Sequence, residues 1–353
     1  MKCRMLLLFL LLPLLTGCVQ TKIIDEVNLA TVAGIDYTED DQLHLVTLST
    51  HYTPDKEAVD DYFEVIMSKN DDTENQLNRQ SSEPVLIGDL DIIVLGKKAA
   101  EEGVFPIIDT LQRNPAVGSR LFLVVSEGPM TELLKESYGT QGNATYISKL
   151  IEHNMKERDV PETNLHLFVS DFFQKRKGAY LPILKKLPGR HLEVSGLALF
   201  HDEKMVYTVP EKDMFYFKIF VDKHTDGNLP VKIDKEMAVV SNIKSHTMIN
   251  ADYNNLTFEI DFQLKGIIKQ YTGKKLETEI IERIKDSMER KIEKESLRLL
   301  KEFQDMGIDP IGVERKFKQQ NRNFDQEKWK DQYKDVTFKF KSVIQILESG
   351  TLE

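Results

Sequence analysis

The sequence predicts an α+β protein of two or three domains, in which an N-terminal mixed α/β region precedes a C-terminal antiparallel sheet packed against one long helix. Three observations predict this order. Apolar, strand-like runs alternate with helical segments up to about residue 190, and hairpin-like pairs of strands follow. A helical period then continues over residues 276–304. The composition, 41% hydrophobic and 29% charged, is that of a globular protein.

The first elements of the N-terminal region are two strands that form a hairpin. Residues 29–37 and 42–52 are rich in β-branched and apolar residues, and the acidic segment 38–41 joins them. Residues 53–79 are dominated by Asp, Glu, Asn, Ser and Lys. We expect this stretch to be a polar excursion from the domain.

A βαβ unit is predicted next. Residues 85–95 and 120–126 are near-continuous apolar runs, and a helix is predicted between them over 98–112. This order predicts two neighbouring parallel strands. The basic segment 175–190 contains Gly and Pro and is predicted to be a linker, so the N-terminal region, of one or two subdomains, spans 18–190.

The C-terminal domain is predicted over residues 191–353. Residues 256–264 alternate strictly between apolar and polar side chains, which predicts a strand with one face on a core and one in water. In the helix 276–304, apolar residues recur at three- and four-residue spacing, and Gly307 and Pro310 lie beyond its end. An antiparallel sheet needs a covering helix, so this stripe is interpreted as core rather than as a partner site.

The first eighteen residues have the pattern of an export signal. Lys2 and Arg4 precede an apolar run over 5–15, which is too short to span a bilayer as a helix, since that needs about 20 residues. The tetrapeptide 15–18, Leu-Thr-Gly-Cys, resembles a bacterial lipobox. We therefore predict a signal peptide over 1–17 and lipidation of Cys18, with an S-diacylglycerol and an N-acyl group. The alternative is an ordinary signal peptide or an uncleaved anchor with a cysteine nearby by chance.

Charge and cysteine content exclude several classes of function. The net charge of −10 argues against nucleic acid as a partner. The two cysteines are Cys3, which would leave with the signal, and Cys18, which would be acylated. The mature chain could then form no disulfide, and its stability would come from burial of the core.

No catalytic motif is present in the sequence. It lacks the nucleophile elbow, the P-loop, the dinucleotide glycine motif and the zincin His-Glu-x-x-His. Asp89 and Asp91 share one face of a strand, a spacing that an acid–base pair or a metal could use, but an exposed or hydrogen-bonded pair is the more common occurrence. A ligand pair of His191 and His201 is disfavoured by their ten-residue separation. The sequence predicts no active site, no metal and no cofactor, and hence no enzyme.

Five segments of the chain carry a family resemblance. They are residues 28–37 (NLATVAGIDY), 87–113 (IGDLDIIVLGKKAAEEGVFPIIDTLQR), 194–205 (VSGLALFHDEKM), 304–312 (QDMGIDPIG), and Trp329 with the closing strand up to Gly350. In this order they resemble the Ger(x)C family, the C-subunit lipoproteins of bacterial spore germinant receptors. The resemblance covers nearly the whole mature chain.

The resemblance implies a non-enzymatic, lipid-anchored subunit on the outer face of the inner spore membrane. Its partners would be two integral membrane subunits, the A and B components, in a complex that responds to nutrient germinants.

The residues leave two alternative functions open. A solute-binding lipoprotein of a transporter would need two doubly wound lobes around a cleft, which the hairpin-rich half after Leu192 disfavours. A lipoprotein hydrolase would need a metal or nucleophile cluster.

Overall fold

The computed structural model describes residues 27–347, except 56, 69–70, 116, 119, 175–177, 226 and 323. The strands are β1 (Asn28–Tyr37), β2 (Leu43–Tyr52), β3 (Ala58–Met67), β4 (Val85–Leu86), β5 (Ile92–Leu95), β6 (Phe122–Ser126), β7 (Ala179–Leu187), β8 (His191–His201), β9 (Lys204–Pro210), β10 (Asn228–Ile233), β11 (Glu236–Asp252), β12 (Thr257–Tyr271) and β13 (Thr337–Ile346). The α-helices are α1 (Thr73–Asn78), α2 (Lys97–Glu102), α3 (Phe105–Arg113), α4 (Met130–Lys135), α5 (Asn143–Glu157), α6 (Leu165–Gln174), α7 (Glu211–Val221), α8 (Thr278–Asp305), α9 (Val313–Gln320) and α10 (Gln326–Gln332), and a 3-10 helix spans Tyr333–Asp335.

The first sheet has nine strands in the order β3-β2-β1-β5-β6-β7-β8-β9, with the short β4 paired to β1. Its centre, from β1 to β7, is parallel, and antiparallel hairpins extend it on both sides. The residues of β5 are all buried, as expected for a parallel strand covered on both faces. We call the edge where β1, β5, β6 and β7 begin the amino edge, and the opposite one the carboxyl edge.

Helices cover both faces of the first sheet. On one face, α2, α3 and α6 pack on the apolar side chains of β5, β6 and β7. On the other face, α4 and α5 pack on alternate residues of β1, β2 and β5. This second core continues without a break into the C-terminal half of the molecule.

Helix α7 is buried between the first sheet and the C-terminal elements. Its residues from Asp213 to Phe220 are all buried. The ring of Phe217 lies 5.4 Å from that of Tyr180 in β7 and 6.1 Å from that of Phe303 in α8. Phe220 contacts Phe340 of β13 at 6.2 Å between ring centroids. One helix therefore joins the two halves through aromatic contacts.

The second sheet, β10-β11-β12-β13, packs against α8. Ile284, Met288 and Ile292 of the helix face the sheet and are fully buried. Side chains of α8 also form hydrogen bonds with the main chain of both outer strands, β10 and β13. The hydroxyl of Ser287 and the ammonium of Lys291 donate to main-chain oxygens of β10, at 3.1 and 2.9 Å.

On its opposite flank α8 contacts β13. The carboxylates of Glu293 and Glu289 accept hydrogen bonds from the main-chain N–H groups of Ser342 and Ile344, at 3.0 and 2.8 Å. Residues two positions apart on a helix differ by about 200° in direction, so Ser287 and Glu289 point to opposite sides. The sheet thus curves around the helix, with each outer strand bonded to one flank.

The predicted α+β class is confirmed, with a sheet-rich N-terminal region followed by a sheet and a helix. The helix predicted over 276–304 is α8, the alternation over 256–264 lies in β12, and β5 and β6 are parallel neighbours. One pairing differs from the expected antiparallel sheet, because β13 joins β12 in parallel. The chain between them passes through α8, which is the crossover that a parallel pair requires.

Two segments predicted to be irregular are strands. The polar excursion over 53–79 contains β3, which pairs antiparallel with β2 along its whole length, and the helix α1. Its polar residues were misleading because an edge strand exposes one face. The linker predicted over 175–190 contains β7, whose first six residues are buried inside the first sheet. The proposed boundary at 190/191 therefore falls in a hairpin of one sheet, between β7 and β8.

Candidate functional site

The predicted acylation site, Cys18, lies outside the described residues, but the place where the chain enters the fold is well defined. The N–H of Asn28 donates to the carbonyl of Pro84 at 2.9 Å, and its side-chain amide donates to the hydroxyl of Ser81 at 2.8 Å. Strand β4 pairs with the first two residues of β1. The chain therefore enters the fold at the amino edge, and we call the segment between Cys18 and Asn28 the tether.

Asp89 and Asp91 also lie near the amino edge, just before β5. The main chain of Asp91 bonds to Thr31 and Phe122, so its position is structural. Partial burial, with the neighbouring charge of Asp89, raises the pKa of the Asp91 carboxyl. Across the described residues, no three His, Cys, Asp or Glu side chains are arranged to hold a metal ion.

The histidine pair weighed in the sequence is not brought together. His191 and His201 are the first and last residues of β8, about 33 Å apart at the rise of a strand. His201 lies at the amino edge, 4.0 Å from the carboxylate of Asp202. His191 lies at the carboxyl edge, so the two imidazoles cannot share a ligand.

The segment NLATVAGIDY, which forms β1, supplies a cap to helix α2, which follows the neighbouring strand β5. Asp36 near the end of β1 accepts a hydrogen bond from the N–H of Ala99 in the first turn of α2, at 3.0 Å. Gly96, the residue before α2, has no side chain, and a Cβ there would lie 2.0 Å or less from the Asp36 carboxylate. The cap by Asp36 therefore requires a residue without a Cβ at position 96.

The segment QDMGIDPIG connects α8 and α9 through a turn that is exposed at Met306 and Gly307 and buried at Ile308 and from Pro310 to Gly312. The carboxylate of Asp309 accepts from the N–H groups of Val313 and Glu314 at 2.8 and 2.9 Å and so caps α9. Burial raises the pKa of Asp309, although hydrogen bonds from the main chain oppose the shift. The carbonyl of Asp309 accepts from the N–H of Gly178 before β7, so this turn also contacts the first sheet.

A polar cleft of about 350 Å³ lies between the end of α5 and the second sheet. Its lining includes the acidic Glu157, the basic Arg158 and Lys269, and the polar His153 and Asn242. The side chain of Asn242 is buried and donates to Thr225, while its Oδ1 has no hydrogen-bond partner among the described residues. The cleft is polar, but within the described part of the chain its side chains include no group of three that could hold a metal ion.

Next to this cleft, a buried lysine bonds to the end of α5. The ammonium of Lys218 in α7 donates to the carbonyls of Met155 and Arg158, at 2.7 and 2.8 Å. Burial raises the pKa of the nearby Asp159 to about 6, against the opposing charges of Lys218 and Arg158. Sequence reasoning missed this group because α7 is apolar nearly all round and shows no helical period.

Comparison with known protein families identifies the chain over nearly its full length. Residues 20–186 match the spore germination protein N-terminal domain, and residues 195–350 match the spore germination B3/GerAC-like C-terminal domain. The chain belongs to the GerAC family of spore germination proteins. The resemblance found in the sequence segments is therefore confirmed.

Curated relatives of the GerAC family agree with this assignment. The chain is 29% identical to the Bacillus cereus spore germination protein GerQC over 99% of both chains. It is 22% identical to YfkR of Bacillus subtilis (strain 168), whose name also refers to spore germination, over 79% of this chain and 76% of that protein. Germination and sporulation are thus the processes to which this family is assigned.

A solved crystal structure shares the fold. The crystal structure of the GerBC protein superposes with a TM-score of 0.61, covering 90% of this chain and 97% of GerBC at 14% identity. Among the described residues, no helix has the length and apolar character needed to cross a membrane.

Proposed function

We propose that this GerAC-family chain is a lipid-anchored, non-enzymatic subunit of a spore germinant receptor, acylated at Cys18. The observation that carries the proposal is the match to both GerAC domains over residues 20–350, directly after the lipobox-like tetrapeptide that ends at Cys18. A diacylglycerol supplies two acyl chains, which is enough for stable anchoring where one chain is marginal.

In this function the chain contributes assembly or signalling rather than chemistry. It resides on the outer face of the inner spore membrane and binds two integral membrane subunits, the A and B components. The scattered histidines and the self-contained roles of Asp36 and Asp309 support a non-catalytic protein.

Replacement of the acylated cysteine tests the anchor. In spores, Cys18→Ala should move the protein from the membrane to the soluble fraction and reduce germination, because the tether then has no acyl chains. Cys3→Ala is the matched control, since it removes the other cysteine from a segment that is cleaved off. Mass spectrometry of the N-terminal peptide reports the lipid directly. A Cys18→Ala protein that stays in the membrane with full germination activity would contradict anchoring by acylation.

Capture of the acylated protein from detergent-solubilised spore membranes tests the partners. We expect two integral membrane proteins to co-purify, one of them similar to an amino-acid permease and without an ATPase. A permease that co-purifies with an ATPase would instead support the solute-binding alternative. The fold disfavours that alternative, because the C-terminal half is a sheet curved around a helix rather than a second doubly wound lobe.

A further inference from the structure

Apolar side chains are exposed on both sides of the point where the tether enters the first sheet. We infer that the amino edge of this sheet is the surface that the protein lays on the bilayer, with Tyr52 and Phe173 at the level of the lipid headgroups. The inference rests on the proposed acylation of Cys18 and adds an orientation and a lipid-contacting surface to it.

The topology places the tether in the middle of this edge. β1 runs parallel to β5, β6 and β7, so all four begin on the same side of the sheet. The registers pair Val32 with Ile92 and Ile92 with Phe122. Asn28 therefore lies up to four residues beyond the level at which β5 and β6 begin, about 10–13 Å given the bulge between Ala30 and Val32. The start of β1 thus extends beyond the starts of β5 and β6.

On one side of the tether, the end of β2 and the start of β3 expose apolar side chains. Tyr52 is 68% exposed and Val59 is 41% exposed. The antiparallel registers place Tyr52 opposite Ala58, and Ser49 opposite Ala30 near the start of β1. This hairpin end therefore extends to the same level as the tether.

On the other side of the tether, an aromatic cluster is exposed on α3 and α6. Phe105 and Phe173 are 43% and 47% exposed, with 6.3 Å between their rings, and Leu167 of α6 is 37% exposed. Two hydrogen bonds fix this cluster at the amino edge. The N–H of Val104 donates to Glu203 in the β8–β9 turn, and α6 begins where the N–H of Leu165 donates to the carbonyl that precedes β6.

The dimensions allow both groups to touch one plane. β2 and β7 are four strand spacings apart, about 19 Å. The ten residue steps from Cys18 to Asn28 reach at most about 36 Å when fully extended. The acyl chains can therefore be inserted while the amino edge rests on the headgroups. Aromatic side chains favour this interfacial level, where an amphipathic surface is buried by about 5–10 Å.

The edge carries charges of both signs. Exposed carboxylates from Asp55, Glu57, Glu83 and Asp202 lie near the apolar groups, and so does the exposed Lys204. The sequence continues from Phe173 into the basic segment 175–177. The contact inferred here is the apolar and aromatic one, and it forms on phosphatidylcholine without anionic lipid.

Quenching by brominated lipid tests the orientation. The acylated full-length protein is reconstituted into phosphatidylcholine vesicles with bromine on the acyl chains. Tyr52→Trp and Phe173→Trp report the amino edge, and Ile66→Trp, at a 54% exposed position of β3 near the carboxyl edge, is the matched control. The single native tryptophan, Trp329, is 4% exposed and serves in every variant as a buried reference. A melting temperature equal to that of the wild type verifies that each variant is folded. If Phe173→Trp does not fold, Phe105→Trp in the same aromatic cluster replaces it.

We expect a loss of emission for Tyr52→Trp and Phe173→Trp relative to vesicles without bromine, and none for Ile66→Trp. Loss at all three positions, or at none, in acylated and vesicle-bound protein would overturn the orientation while the anchor stands. Loss at none would leave the edge as a face for the partner subunits. Loss only with anionic lipid would overturn the proposed apolar contact. An unmodified Cys18, seen by mass spectrometry of the same sample, would overturn the anchor and this inference together.

Discussion

At the scale of single residues, Lys218 is a charged side chain that is buried between the two sheets and needs hydrogen-bond partners there. Lys218 is 2% exposed, yet its ammonium has two carbonyl partners at the end of α5. The C-terminal end of a helix has unpaired carbonyls and a negative dipole end, so a cation there is favoured. The lysine of one helix thus caps another helix far away in sequence.

Replacing this lysine should destabilise the fold. In Lys218→Met, the carbonyls of Met155 and Arg158 lose their buried donor, and we expect the free energy of unfolding to fall by about 2 kcal/mol. Urea denaturation measures it. Lys212→Met, at an exposed position of the same helix, should change it by less than about 0.5 kcal/mol. Equal effects of the two substitutions would show that the buried ammonium contributes nothing specific.

The raised pKa of Asp159 predicts a pH dependence of stability. Its pKa of about 6 in the folded protein lies above the usual value of an aspartate, about 3.9 in an unfolded chain. Between these values the folded state binds more protons, so this contribution to stability is complete below about pH 4 and is lost as the pH rises through about 6. Lys218, Arg158 and Glu211 are the charged groups that act on this carboxyl.

The change that isolates this contribution is Asp159→Asn. The difference in unfolding free energy, wild type minus variant, should decrease between pH 4 and pH 7 by at most about 3 kcal/mol. Glu157→Gln, which removes an exposed carboxylate nearby, is the control. A difference that stays constant over this range would contradict the burial of Asp159.

At the scale of elements, α8 does more than cover the second sheet. An outer strand with unpaired N–H groups can pair with another chain, and proteins protect such edges. Here Glu289 and Glu293 supply the acceptors that a neighbouring strand would offer to β13. The helix therefore closes one edge of the sheet with two carboxylates at i,i+4 spacing.

Removing both carboxylates should open this edge. In Glu289→Ala/Glu293→Ala, two N–H groups of β13 lose their acceptors, and we expect a loss of about 1–2 kcal/mol and self-association. Urea denaturation and light scattering measure the two effects. Glu282→Ala/Asp286→Ala removes an exposed carboxylate pair at the same spacing and is the control. A monomeric double variant of wild-type stability would rule out the protective role.

The elements also differ in how well their sequences indicate them. The helical period of α8 and the alternation of apolar and polar residues in β12 were sufficient to predict these two elements, because each has one face on a core and one in water. β7 was mistaken for a linker because Pro182, Lys185 and Lys186 lie within it. The lysines are exposed near the carboxyl edge, where they pair with Glu127 and Glu136, while the preceding residues are buried. The amino-acid composition of the whole segment does not distinguish the buried first half of such a strand from its exposed, basic end.

At the scale of the whole molecule, the two halves share one core. Apolar contacts run without a break from β1 and β5 through α7 to β12 and α8. The turn at Asp309 adds a main-chain hydrogen bond between the halves, to Gly178. Residues 20–186 and 195–350 match the N-terminal and the C-terminal domain of the family separately, yet a single hydrophobic core links them.

This core predicts cooperative unfolding. Circular dichroism reports the whole chain and the emission of Trp329 reports the C-terminal half, and their urea midpoints should coincide. Phe217→Ala, between the two halves, should destabilise both signals together by about 3–5 kcal/mol, whereas Phe105→Ala at an exposed position should not. Two separate transitions would show that the halves fold independently.

The α+β class, the long helix, the parallel βαβ unit and the family could all be predicted from the amino-acid sequence, because periodicity and short motifs are local properties of the chain. The prediction that Cys18 is acylated also comes from a local motif. The central position of β7, the burial of α7 between the sheets and the parallel pairing of β13 became visible only in the folded chain. Those features depend on what packs against each segment from both sides, and neighbours far apart in sequence leave no periodic signal.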